Sequence, residues 1–238
     1  MDLTQATEIL TNGEMRVEGR LAWGSNYTML AYACIDDQEV PLVYKPQRGE
    51  RPLWDFPVGT LCNRERAAYV VAKGCSWDFV PPTVLRDGPY GMGSAQLFIE
   101  HDPEEHFFTF QGQAAFDSQL QPIVLFDWMI NNADRKGGHV LLDADDRIWA
   151  IDHGICFHTE HKLRSVIWEY AGKPISAELL ANLTRFEANL TNSPIANELA
   201  TLLSSEEIDA LHRRTSFLLQ STIFPEPGPG RHYPWPPV

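Results

Sequence analysis

Cysteine is scarce in this chain. Its four cysteines, Cys34, Cys62, Cys75 and Cys156, are widely spaced with no CxxC pair. That spacing argues against a zinc ribbon or a disulfide frame and leads us to expect reduced, mostly buried thiols in a reducing compartment. Long apolar runs are also missing. No stretch reaches the roughly 18 apolar residues of a membrane span, and the start lacks a basic region followed by an apolar run. A cytoplasmic protein without stable membrane insertion is therefore expected, with the sequons at Asn26, Asn182 and Asn189 as chance matches. Basic charge is the third shortage: 19 Lys and Arg stand against 32 Asp and Glu, a formal net charge of -13. That balance repels phosphate backbones and anionic headgroups, so general nucleic-acid binding is disfavoured.

What is present is enough for a real core: 238 residues, 44% of them apolar, fit one large domain or two small lobes. In MRVEGRLAW, TMLAYACI and VPLVYKP the alternation predicts three adjacent antiparallel strands, with a turn at Asp36-Asp37. A Pro- and Gly-rich loop leads to NRERAAYVVAKG, read as a short helix ending at Gly74, and SAQLFIE (94–100) reads as a further strand. GPYGMG just before it neither follows a clear strand nor opens a helix, so a turn is expected rather than a dinucleotide motif. Beyond residue 102 the period changes. SQLQPIVLFDWMINN has helical spacing with Pro122 in its first turn, and its run VLFDWMI reads as core with Trp128 beside the cleft. HVLL and RIWAID read as a short hairpin, followed by helices capped by Ser176 and by a Ser204/Glu207 capping box. These patterns divide the chain into a β-rich lobe (1–102), a helical lobe (103–224) and a Pro-rich tail or extended strap (225–238).

One stretch, NNADRKGGHVLLDADDRIWAIDHG, places Asp134, His139 and Asp152 around the hairpin. Carboxylates gathered at one place repel unless a cation sits between them. Phosphoryl transfer needs such an arrangement: a cation holding phosphates, a metal bridging them, and a carboxylate near the attacking group. In protein kinases a catalytic Asp is followed five residues later by an Asn metal ligand, and a second metal-binding Asp sits beyond a hairpin in Asp-Phe-Gly. Asp134, His139 and Asp152-His153-Gly154 stand at matching offsets. Upstream, Lys45 ends the strand LVYK and Glu65 opens the helix RERAAYVVAKG, the order in which a strand lysine pairs with a helix glutamate.

VYKP, RERAAY, NADRKGGH and AIDHGICF resemble the phosphatidylinositol 3-/4-kinase-like branch of atypical kinases, with a pattern similar to type II phosphatidylinositol 4-kinases. The resemblance spans roughly residues 15 to 160. It implies an α+β, two-lobed protein-kinase-like fold that binds ATP and a divalent metal between the lobes. It also implies that Lys45 holds phosphates, Glu65 orients Lys45, and Asp134 positions or deprotonates the acceptor. His139 and Asp152 would bind metal. His139 stands where that family usually has Asn, and an imidazole favours a borderline ion such as Mn over Mg. The glycine loop is reduced to Trp23-Gly24-Ser25-Asn26-Tyr27, so Ser25, Asn26 and the backbone are expected at the phosphates. Backbone groups of Phe98, Ile99 and Glu100 are expected at the adenine. The segment after Asp152 offers only Lys162, Arg164 and Lys173, where an inositol-phosphate headgroup would want a dense basic patch. The expected acceptor is therefore a protein or small-molecule hydroxyl, and the alternative is a nucleotide-binding regulatory pseudokinase.

Blander assignments compete. Lys45 or Glu65 alone reads as a strand-end lysine and a first-turn carboxylate favoured by the helix dipole. Asp143, Asp145 and Asp146 read as a solvated turn; a calcium loop from Asp143 fails, with Ile148 where Gly is needed and Gly154 where Glu is needed. His153, His158 and His161 match no zinc spacing and read as surface histidines. A scaffold using the Pro-rich tail as a ligand for an aromatic groove is a third, weaker reading.

Overall fold

In the computed structural model, residues 2–21, 27–228 and 230–238 are described. A first helix that the strand patterns gave no hint of, α1 (Leu3–Asn12), starts at Asp2, whose side chain accepts from the Gln5 backbone N–H. The strands β1 (Glu14–Arg20), β2 (Met29–Ile35) and β3 (Gln38–Pro46) follow as an antiparallel meander. The expected Asp36-Asp37 turn joins the last two, with Asp36 at φ 52° in the left-handed region that Asp tolerates. Next come α2 (Leu61–Gly74), β4 (Thr83–Gly88) and β5 (Gly91–Leu97). The strand expected at 94–100 is thus shifted: it starts at Gly91 and ends at Leu97, GPYGMG forms the turn of the β4–β5 hairpin, and β4 went unread. The sheet order is β1-β2-β3-β5-β4.

The helical part contains α3 (Phe107–Phe110), α4 (Asp117–Ile130), the hairpin β6 (Val140–Leu142) with β7 (Ile148–Ala150), and α5 (Ala177–Asn189), α6 (Pro194–Leu202) and α7 (Ser205–Ser221). The Ser176 cap and the Ser204/Glu207 capping box form as expected. Pro122 lies in the second turn of α4 rather than the first, so one backbone hydrogen bond of that helix is forgone.

Two cores result. Under the sheet, Ile9 and Leu10 of α1 meet Ala31, Ala33, Leu42, Tyr44, Val84 and Ala95. A larger core joins α2, α4, the hairpin and α5 to α7. This is the mixed fold anticipated, an antiparallel-sheet lobe on a mainly helical one. Among the described residues no helix is long and apolar enough to cross a membrane. The four cysteines are unpaired, and Cys62, Cys75 and Cys156 are buried.

Candidate active site

Strand alternation delivers Lys45. Val40, Leu42 and Tyr44 of β3 point into the sheet core, so Lys45 projects from the opposite face, toward α2. Helix α2 begins at Leu61, where the Glu50 carboxylate accepts from the Leu61 and Cys62 N–H groups at 3.1 and 2.9 Å. Glu65 therefore lies in the second turn and not at the helix start, and the helix-dipole reading of it fails. It is buried, and its carboxylate accepts from Lys45 Nζ and from the His153 N–H at 2.9 Å. Asp152 follows β7 at φ 61°, and its Oδ1 lies 2.7 Å from Lys45 Nζ. Lys45 is thus held between two carboxylates from two other elements. Burial works against the ammonium, yet Asp152 and Glu65 outweigh it and raise its pKa. Burial likewise opposes the Asp152 carboxylate, and Lys45 overrides it, holding Asp152 well below the usual range.

On the far side of Asp152 stands His139. Its Nδ1 is 2.9 Å from the Asp134 carbonyl oxygen and its Nε2 is 3.3 Å from Asp152 Oδ2. Burial pushes its pKa down to about 4, so the ring is neutral at pH 7. Nδ1–H donates to the carbonyl, which leaves the Nε2 lone pair aimed at the Asp152 oxygen. Asp134 is half-buried, with its N–H donating to Asn132 Oδ1 at 3.0 Å and its Oδ2 3.6 Å from Lys136 Nζ. Burial pushes the Asp134 carboxyl up to about 6, with Lys136 partly opposing.

A support that the sequence reading missed lies beneath these groups. Arg135, 0% exposed, donates Nε and Nη2 to Asp127 at 2.8 and 2.9 Å. Its Nη1 reaches the carbonyls of His139 and Ile151 at 3.1 and 2.9 Å, and its Nη2 reaches His153 Nε2 at 2.8 Å. One guanidinium therefore fixes the loop that carries Asp134 and the turn that carries Asp152. His153 is fully buried, not a surface histidine; burial and Arg135 hold it neutral. The one signal for this support was an acid, Asp127, inside the apolar run VLFDWMI. Trp128 is not at the cleft either: it stacks on Phe217 of α7.

The remaining expected residues fall as follows. Ser25 and Asn26 lie outside the described residues. Phe98, Ile99 and Glu100 come after β5 rather than within a strand. The Phe98 N–H donates to the Pro41 carbonyl at 3.0 Å, the Ile99 carbonyl is 2.8 Å from His101 Nδ1, and Ile99 packs on Leu141 and Trp149 of the hairpin. Asp143 binds the Trp149 Nε1–H and the Asp145 and Arg147 N–H groups, so it shapes the hairpin turn. An open depression of about 430 Å³ on α7, lined by His212, Arg213 and Phe217 among others, shares no residue with the Lys45 cluster.

Against known proteins, the profile of the phosphatidylinositol 3- and 4-kinase domain matches residues 62–187, more than half of the chain. The chain belongs to the phosphatidylinositol 3- and 4-kinase family. Protein Rv2133c of Mycobacterium tuberculosis (strain ATCC 25618 / H37Rv) is 38% identical over 96% of this chain and 94% of its own length. A plant family member, phosphatidylinositol 4-kinase gamma 4 of Oryza sativa subsp. japonica, is 29% identical over 56% of this chain and 27% of its own. Among solved structures, the Helicobacter pylori proinflammatory kinase CtkA superposes with a TM-score of 0.55 at 13% identity, covering 90% of this chain and 94% of that one. The Golgi casein kinase with Mn/ADP bound gives 0.56 at 14% identity, over 92% and 74%. At such identities these two establish the kinase fold and nothing finer.

Proposed function

We propose that this family member is an ATP-dependent phosphotransferase acting on a protein or small-molecule hydroxyl. The observation that carries the proposal is Lys45 Nζ held between Glu65 and Asp152, with His139 and Asp134 beyond. Lys45 would hold the phosphates and Glu65 keep it in place. In transfer, the bond from the γ-phosphorus to the bridging oxygen of ADP breaks as the acceptor oxygen bonds to phosphorus. Asp134 accepts the hydroxyl proton, and ADP leaves.

The His139 Nε2 lone pair and the Asp152 Oδ2 oxygen face one another without a proton between them, and a divalent cation suits that pair. Among the described residues no group of three His, Cys, Asp or Glu side chains is placed to hold a metal ion. A kinase metal takes few protein ligands and completes its shell with phosphate oxygens, so His139 and Asp152 would hold Mg or Mn only together with the nucleotide. When bound, the ion would neutralise charge on the β- and γ-phosphates. That the Golgi casein kinase structure holds Mn and ADP supports this reading. The test is calorimetry of ATP with Mg and then Mn, on the native chain and on Asp152→Ala. Metal-dependent binding that weakens at least about tenfold in the variant is expected; a folded native chain binding ATP with neither metal would overturn the proposal.

A pH dependence follows from the Asp134 carboxyl at about 6. As a proton acceptor it works only when ionised. Turnover is therefore expected to fall roughly tenfold per unit below about pH 6 and to level off above it. A profile of kcat/KM flat from pH 5 to 8 would remove Asp134 from this role.

A further inference from the structure

The Pro-rich end of the chain is docked. Phe224 and Pro225 are buried, and Phe224 exchanges backbone hydrogen bonds of 2.9 Å with Gly172 and Lys173. Further on, the Ser165 N–H donates to the His232 carbonyl at 3.0 Å, and the His232 ring stands edge-on to Trp168, centroids 6.0 Å apart. Pro234 is buried, and the Gly137 N–H donates to the Pro237 carbonyl at 2.7 Å.

Both anchoring donors flank Asp134. Ser165 forms a parallel bridge with Arg135, and Gly137 belongs to the loop between Asp134 and His139. Gly137 has a steric reason as well: a Cβ there would sit 2.8 Å from the Phe108 ring, which forms the other wall of this loop. The surface thus offers backbone N–H donors beside aromatic rings. An extended chain answers with carbonyls, and proline suits it because it keeps its carbonyl while bringing no N–H that needs a partner. This is the chemistry of polypeptide recognition, not of a headgroup.

We propose that residues 230–238 occupy, in cis, the surface on which a polypeptide acceptor lies, so that the strap lifts before a protein hydroxyl reaches Asp134. This rests on the phosphotransferase reading and narrows its acceptor to polypeptides.

The strap is lifted in the full chain in two ways. One is Pro234→Asp, which puts a charge at a buried contact. The other is a protease site inserted after Gly228 and cut after folding, which leaves the body unaltered. Three quantities are read on each: amide hydrogen exchange at Gly137 and Ser165, ADP release from ATP with water as acceptor (giving ADP and phosphate), and binding of a synthetic peptide of residues 230–238. A strap docked about nine-tenths of the time hides its surface tenfold. Lifting it should therefore speed exchange at both amides about tenfold, raise ADP release by up to that factor at unchanged ATP affinity, and open a site for the peptide, which reverses the gain. Unchanged exchange, faster exchange with unchanged ADP release, or a peptide that does not bind would each overturn the proposal. Absence of ATP binding in every form would instead sink the phosphotransferase reading, a failure the exchange and peptide data do not share.

Discussion

Asp134→Asn is expected to lower turnover by about 10² to 10⁴ and leave ATP affinity unchanged. The amide keeps the size of the carboxylate, so the Asp134 N–H bond to Asn132 and the His139 bond to its carbonyl, both made by backbone, survive the change. What is lost is the group proposed to take the acceptor's proton. Lys45 and Asp152, the groups proposed to hold the nucleotide and its metal, are untouched. ADP release and calorimetry on the same preparation separate the two effects. ATP binding retained in both chains with no turnover in either would favour the nucleotide-binding pseudokinase.

The second large effect is on stability. Asp127→Ala leaves the Arg135 guanidinium, 0% exposed, without its carboxylate partner. Breaking a buried pair from one side costs about 3–5 kcal/mol, because the remaining charge is stranded away from water. For a chain of this size that is a fall in Tm of roughly 6–20 °C. Arg135 also fixes the carbonyls of His139 and Ile151, so the loop carrying Asp134 should loosen with it. A thermal melt within about 2 °C of native would show that solvent or a neighbour compensates the charge.

The uneven legibility of this sequence has physical causes. Lys45 and Glu65 could be read because a lysine ending a strand and a glutamate in the helix after it stand in the order of a known pairing, although Glu65 lies in the second turn of α2 and not at its start. Asp134 and Asp152 could be read because acids bracketing a hairpin need a cation. The Asp127–Arg135–His153 support could not, because it joins three segments that no local period relates, and His153 looked like any polar residue beside an acid. Helix α1 was hidden by its length and polar start, and β4 by its Thr, Arg and Asp positions. The strap's proline content suggested a tail, an extended strap or a ligand for a partner's aromatic groove; its landing place on this chain depends on backbone N–H groups that every residue but proline carries.

Helix α2 has one more implication. Arg64, buried, donates to the Cys156 carbonyl and pairs with Glu207 of α7, while Arg66 pairs with Glu198 of α6 and also donates to the Thr83 carbonyl of β4. A helix tethered to both lobes cannot swing outward to dismantle the Lys45–Glu65 pair without rupturing several charged contacts at once. Parting Lys45 from Glu65 by moving α2 would therefore cost the Arg64 and Arg66 contacts together. The same tethers that join α2 to α6, α7 and β4 thus hold Glu65 where it meets Lys45.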